Sequence, residues 1–363
     1  MRIRMLIDSL GPGGAQRQFI KLANGLAAEG HEVKVRFYHE VPRLAEALSP
    51  EVDAAPLPSR LPFLRKLRAL FFMAPWAKVV CVSFLTTPNR INCLARLLSP
   101  WPRRVVSERS IDHAPVGIGR WLTQLLYVLA GAVVCNSRTQ AAQLARRPWL
   151  ARKVRYVGNC VDLDKFRPLP APPRAVDDEG LRGIVVANFK PAKNPLFLIR
   201  ALDSPVATGV TVDWYGQDAD SGDGESTQSK SARLLRTLGH GRMRIAGGAA
   251  HPESLYPGYD FLCLPSLYEG MPNVVAEAMA CGLPVLCSRV SDNALLVEEG
   301  VNGFLFDPTS EPEFLSALAR LRQLQPSERA EMGRRNRKKA EELFGYDAYL
   351  GAWLRMIKPG NLA

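Results

Sequence analysis

The stretch from Tyr259 to Cys287 constrains the fold most, because it reads as strand, tight turn, helix and second strand with nothing between them. The apolar run Tyr259-Asp260-Phe261-Leu262-Cys263-Leu264 leads into Pro265-Ser266, where a buried strand ends. Gly270 and Pro272 permit a tight backbone and a helix start, and Asn273 to Ala280 reads as helical. After Gly282, Pro284-Val285-Leu286-Cys287 reads as the next strand. The free N–H groups of such a helix N-terminus, over Met271 to Val274, form an anion site. Two carboxylates flank it, Glu269 before the turn and Glu277 inside the helix. A carboxylate two turns in cannot sit on the anion, but it can reach neutral hydroxyls such as a ribose diol. A nucleotide diphosphate carrying a sugar fits that arrangement.

The same strand and helix alternation runs through the chain twice. Arg2 to Asp8 reads as a buried strand, followed by Gly11-Pro12-Gly13-Gly14, a helix from Ala15 to Glu29 and a strand at Glu32 to Tyr38. Further strands fit Val79 to Phe84, Arg104 to Ser107 and Ala132 to Asn136. Residues 168–180, with four prolines and several charges, read as an interdomain linker. A second series follows: a strand at Gly183 to Ala187, a helix from Pro195 to Leu202, and strands near Val212 to Tyr215 and Met243 to Ile245. The expectation is an α/β protein of two doubly wound, Rossmann-like domains facing a cleft, at 1–167 and 181–345. A helix within 346–363 is expected to return to the first domain.

Composition narrows the partners. Charge is lopsided: residues 1–165 hold 25 Lys and Arg against 11 Asp and Glu, while the remainder holds 22 against 24. A basic first half fits an anionic partner, whether a phospholipid surface, a lipid-linked pyrophosphate acceptor or nucleic acid, or else solvated arginine-rich faces. Within it, Arg60 to Trp76 interleaves basic with large apolar residues, as in an interfacial helix on anionic lipid or a core helix with a basic outer face. No zinc spacing or RNA-binding aromatic motif accompanies the charge, so nucleic acid is not expected. The seven cysteines are scattered, with no Cys-x-x-Cys pair. With no secretory pattern at Met1 to Gly14, a reducing cytoplasmic setting is expected, with peripheral attachment to the inner face of the membrane.

Pro265-Ser266, Glu269-Gly270-Met271-Pro272-Asn273, Glu277 and Gly282-Leu283-Pro284-Val285 together resemble the donor-site signature of the retaining glycosyltransferases of family 4, which have the GT-B fold. Weaker agreement runs from Val157 to Pro168, at Trp214-Tyr215-Gly216 and at Ala246-Gly247-Gly248. Gly13-Gly14-Ala15-Gln16-Arg17 resembles the family's phosphate-approaching turn, with Gln16 replacing an acid. Lys193 falls on the family's diphosphate-binding lysine. Asn188 stands in place of its arginine, which removes one positive charge. Leu295 replaces a family glutamate, and the histidine that many members carry after the strand at 104–107 is absent; Glu108, Arg109 and His113 occupy that region.

The resemblance implies a transferase that moves a sugar from a nucleotide diphosphate to a glycan or lipid-linked acceptor, of the kind used in cell-surface polysaccharide or lipopolysaccharide synthesis. Anomeric configuration would be retained, and neither cofactor nor metal is expected. Glu269 would hold the donor sugar, Glu277 the ribose, and Lys193 the leaving diphosphate. Gly13, Gly14, Asn188, Gly270, Met271, Pro272, Asn273 and Val274 would line the donor. A retaining hydrolase needs carboxyls about 5 Å apart, whereas eight residues of helix rise about 12 Å. A GT-B epimerase or hydrolytic relative and a non-catalytic nucleic-acid binder are the alternatives.

Overall fold

Val80–Phe84 and Phe261–Leu264 are apolar at nearly every position, the pattern of strands covered on both faces in a parallel sheet. Every residue of both is buried. In the computed structural model, which describes residues 1–11, 13–39, 44–109, 117–170, 180–218, 225–239, 241–249 and 251–358, they are interior strands of two separate sheets. His113 and segment 171–179 of the expected linker lie outside the described residues. The chain forms two compact units, Met1–Cys160 with Tyr346–Ala363, and Val161–Gly345.

The first unit runs β1 (Arg2–Ile7), α1 (Gly14–Ala28), β2 (Glu32–Phe37), β3 (Asp53–Pro56), α2 (Pro62–Phe72), β4 (Val80–Phe84), α3 (Thr86–Leu98), β5 (Arg103–Glu108), α4 (Ile118–Leu126), β6 (Ala132–Cys135), α5 (Arg138–Ala145) and β7 (Val154–Tyr156). The second runs β8 (Leu181–Val186), α6 (Pro195–Asp203), β9 (Val210–Tyr215), α7 (Thr227–Leu238), β10 (Met243–Gly247), α8 (Pro252–Leu255), β11 (Phe261–Leu264), α9 (Asn273–Ala280), β12 (Val285–Ser288), α10 (Asn293–Leu296), β13 (Gly303–Phe306), α11 (Glu311–Gln323) and α12 (Pro326–Phe344). Helix α13 (Tyr346–Ile357) belongs to the first unit again. Its Tyr349, Trp353 and Ile357 are buried in that unit's core, where the Trp353 and Phe84 rings stack at 5.4 Å.

Both sheets are wholly parallel, ordered β3-β2-β1-β4-β5-β6-β7 and β10-β9-β8-β11-β12-β13. In each, chain order reverses between two neighbouring strands, β1 and β4 in the first and β8 and β11 in the second. Open α/β sheets bind ligands outside the carboxyl ends at such a reversal. The strands the sequence did not announce are β3, β7 and β13. The first two are short sheet-edge strands with half-buried to exposed residues, so they lack the apolar run that marks an interior strand.

The expected domain boundary at 167 is corrected to Cys160/Val161. Cys160 is tied to the first unit, since Gln18 Nε2 donates to its carbonyl at 2.8 Å and Gln18 Oε1 accepts from its N–H at 3.0 Å. Val161 and Phe166 already pack in a core of the second unit, and Val161 N–H donates to Phe344 O at 3.0 Å. The proline-rich segment 168–180 therefore falls within the second unit's stretch of chain.

A charged clamp fixes β9 beside β10. The Arg244 guanidinium donates to both carboxylate oxygens of Asp213, at 2.9 and 2.7 Å, and the Tyr259 hydroxyl donates to the same group at 2.6 Å. Burial pushes the Asp213 carboxyl up, but the hydrogen bonds from Arg244 and Tyr259 outweigh it and hold it below its ordinary value. Its stabilising contribution is therefore complete above the usual carboxylate range and is lost as pH falls through the depressed folded value. Asp213→Asn should lower Tm at pH 7 and flatten the acid limb of a Tm-versus-pH curve below about pH 4. An unchanged acid limb would show that other carboxylates govern it.

Candidate active site

Two loops meet at the β8/β11 reversal. After β8 the chain makes a short turn at Pro191–Lys193 and then Asn194, which takes a left-handed conformation (φ 59°) and starts α6 at Pro195. Asn194 Nδ2 donates to Pro308 O at 2.8 Å, which fixes that turn against the loop after β13. After β11, Leu267 N–H donates to Ala192 O at 2.8 Å and ties the second loop to the first. The result is a contact between residues far apart in sequence: Lys193 Nζ donates to Glu269 Oε1. The Glu269 side chain is only 10% exposed and its Oε1 also accepts from Ser266 Oγ at 2.6 Å. Ser291, itself at φ 48°, donates its hydroxyl to the Glu269 carbonyl.

Beyond Glu269, Gly270 leads to buried Met271 and Pro272, and Pro272 caps α9 in an extended conformation with no side-chain cap bond. The half-buried Asn273 and Val274 open the helix, and first-turn N–H groups have no acceptor within a helix. Glu277 is one turn inside α9 and buried, and its Oε2 accepts from Tyr256 Oη at 3.3 Å. Glu269 lies in the loop ahead of α9. The helical rise therefore counts only from Asn273 onward, and the two carboxylates are separated by a loop and a turn of helix rather than by eight helical residues as expected.

Asn188 is exposed just past β8, and its Oδ1 accepts from Gln217 N–H at 3.3 Å. Leu295, at the place of the family glutamate, is exposed on α10. The same two loops wall a cavity of about 570 Å³ lined by Asn194, Phe197, Lys230, Leu267 and Pro308, a lining that includes neither Lys193 nor Glu269. Among the described residues, no group of three His, Cys, Asp or Glu side chains is placed to hold a metal ion.

The glycine turn of the first unit follows β1 at that sheet's own reversal. Gly13 caps α1 in an extended conformation (φ −143°), so its glycine is not required by a left-handed backbone. A Cβ on Gly13 would meet Gln16 Oε1 at 2.1 Å, so the Gln16 side chain would have to move. Gln16 in turn donates from Nε2 to Asp8 Oδ1 at 3.3 Å. Gly14 is exposed, and α1 has no side-chain cap. At the end of β4, Leu85 is held at φ 77° by bonds from its N–H to Ser107 O and from Asn89 N–H to its carbonyl. Glu108, where the family histidine is absent, is buried, accepts from Tyr127 Oη, and is pushed up by burial.

The sequence named Ser266 only as part of a motif, and gave no sign of Tyr256 or Leu85. Ser266 stood beside the signature glutamate, which was its signal. A tyrosine reaching Glu277 from another element has no local signature.

Residues 12–165 match the family described as Glycosyltransferase Family 4, and residues 181–323 match Glycosyl transferases group 1. Each unit thus matches a glycosyltransferase family model, and the pair of parallel-sheet, Rossmann-like units has the GT-B fold. Similar glycosyltransferases include the Escherichia coli UDP-Gal:alpha-D-GlcNAc-diphosphoundecaprenol alpha-1,3-galactosyltransferase, 28% identical over 47% of this chain and 45% of that one. The Campylobacter jejuni N-acetylgalactosamine-N,N'-diacetylbacillosaminyl-diphospho-undecaprenol 4-alpha-N-acetylgalactosaminyltransferase is 23% identical over 79% of this chain and 80% of that one. Thus the chain spans under half the length of the first of these relatives. The fold also matches the crystal structure of Anabaena HepE with UDP and glucose, at a TM-score of 0.82 and 19% identity over 98% of this chain and 99% of that one.

One bond at the site can be weighed in isolation. Ser266→Ala removes a hydrogen bond to a nearly buried carboxylate, a loss of about 2 kcal/mol. Urea unfolding should show a lower midpoint with an unchanged slope. A midpoint equal to wild type would mean that water replaces the hydroxyl without cost.

Proposed function

We propose that the chain transfers a sugar from a nucleotide diphosphate to a glycan or lipid-linked acceptor, with retention of anomeric configuration, in cell-surface polysaccharide or lipopolysaccharide-type synthesis. The observation that carries this reading is the pairing of Lys193 with Glu269 across the β8/β11 reversal, on the loop that leads into α9. The UDP-Gal in the name of the Escherichia coli relative and the UDP and glucose held by HepE make a UDP-sugar the first to test.

In this reading the diphosphate takes the lysine. Lys193 and the N–H groups of Asn273 and Val274 neutralise the charge that grows on the leaving oxygen. The bond from the anomeric carbon to that oxygen breaks, and the acceptor hydroxyl bonds to the same face. The hydroxyl proton passes to the departing diphosphate. Glu269, freed of its lysine, accepts from the sugar hydroxyls, and Glu277 from the ribose. Asn188 and the backbone at Gly270 to Pro272 line the donor. For the first unit, the amides at Gly13 and Gly14 are proposed as phosphate contacts. No metal or cofactor takes part, and the place of work is the cytoplasmic face of a membrane.

Lys193→Ala and Glu269→Ala should each depress turnover by about 10²–10³ while weakening free UDP binding much less. Near-normal turnover in Lys193→Ala would mean that another cation, Lys190 being the nearest in sequence, holds the leaving group. Glu277→Ala should weaken both UDP and UDP-sugar in a thermal-shift titration, since a bound donor stabilises the folded state by mass action. Equal affinity in the variant would remove the ribose from Glu277. Release of UDP that does not depend on acceptor would favour the hydrolytic alternative.

A further inference from the structure

Helix α4 is inside out. Ile118, Trp121, Leu122 and Leu125 recur at the spacing of one helix face, and all four are exposed, Ile118 at 79%. The residues turned inward are Thr123 and Gln124, at 4% and 7%. Polar bonds hold α4 to α3: Arg90 donates from Nε to Thr123 Oγ1 at 2.7 Å and from Nη2 to Gly119 O at 3.1 Å. The apolar stripe therefore leaves much of its surface to water, which costs free energy.

The neighbouring helices extend the surface. Helices α2, α3 and α4 pack in sequence side by side. Phe63 and Phe71 on α2 and Trp76 after it are exposed, Trp76 at 77%, as are Leu97 at the end of α3 and Trp101 beyond it. Of the whole of α2 only Ala69 is buried, so this helix is not a core helix with a basic outer face. Monomeric proteins seldom leave contiguous apolar surface of this kind uncovered.

We infer that the α2–α3–α4 face of the first unit seats on an anionic phospholipid leaflet, with the α4 stripe and the flanking aromatics entering the headgroup layer and the basic residues meeting the lipid charge. Charge decides between occupants. Residues 60–129 hold 11 Lys and Arg against two acids; Arg104, Arg109 and Glu108 are buried, which leaves nine basic residues and one acid of that stretch for the surface count. A second copy packed by two-fold symmetry would set this basic surface against itself, whereas anionic lipid complements it. Among the described residues no helix is long and apolar enough to cross a membrane, so the contact is peripheral. The inference deepens the lipid-linked-acceptor reading and rests on it for its purpose, but the surface itself is testable without catalysis.

The test is flotation of the full chain with vesicles of phosphatidylethanolamine and phosphatidylglycerol, and with phosphatidylcholine alone. Wild type should float with the anionic vesicles and far less with the neutral ones. Replacing Ile118, Trp121, Leu122 and Leu125 together by Ser should cut the partition coefficient by more than about a hundredfold. Lys66→Gln, Arg68→Gln and Arg96→Gln, or high salt, should each reduce it by about fivefold per charge. Circular dichroism and an unchanged UDP-sugar thermal shift establish that both variants fold and keep the donor site. The inference is overturned if wild type ignores anionic vesicles at low salt or if the stripe variant floats as well as wild type. It is equally overturned if light scattering finds a wild-type dimer that the stripe variant makes monomeric. A wild type that floats but shows no donor-induced shift supports this surface and counts against the transferase reading alone.

Discussion

A parallel sheet whose chain order reverses must leave a gap between two loops, because the helices on either side of the reversal lie on opposite faces. In the second unit that gap falls between β8 and β11, and Lys193 and Glu269 close it. An ion pair at a protein surface contributes little to stability. Here one partner is nearly buried and the carboxylate is also bonded by Ser266, so the pair is better understood as a charge arrangement kept in place than as a fold-stabilising bridge.

The surroundings explain how it is kept. Two residues in left-handed conformations that are not glycine flank the pair: Asn194 follows Lys193 on the loop after β8, and Ser291, on the loop after β12, bonds the Glu269 carbonyl. Such a conformation costs about 1–3 kcal/mol and persists only where neighbours hold it. Asn194 is held through Pro308 and Ser291 through the Glu269 carbonyl, so the strain is confined to the strand ends. In the proposed reaction a diphosphate offers Lys193 a second anion. An exchange of partners at one lysine is a small movement, which suits a site that must bind, react and release.

Most of the architecture was legible because parallel strands covered on both faces write themselves as unbroken apolar runs. The α9 segment, Asn273–Ala280, is read from sequence to the residue, since Pro272 and Gly282 mark its ends. Edge strands β3 and β7 were not legible, for lack of any such run. The Lys193–Glu269 contact lies between residues 76 apart, and only the family resemblance placed them in one site. The unit boundary was misplaced because prolines and charge mark a loop, while the crossing depends on what Gln18 and Phe344 bond. Sequence periodicity also cannot say which side of α4 faces in. An apolar stripe at helical spacing would ordinarily turn inward, whereas here it is exposed and α4 is held by polar bonds from Arg90.

The central claim, that the donor sits on the loops after β8 and β11, is open to direct measurement by amide hydrogen exchange of the full chain with and without a UDP-sugar. Protection should rise in the segments 188–194 and 266–277, and the cavity-lining turns of α6 and α7 should change little. Protection confined to α6 and α7, with 266–277 exchanging as in the free protein, would contradict the account.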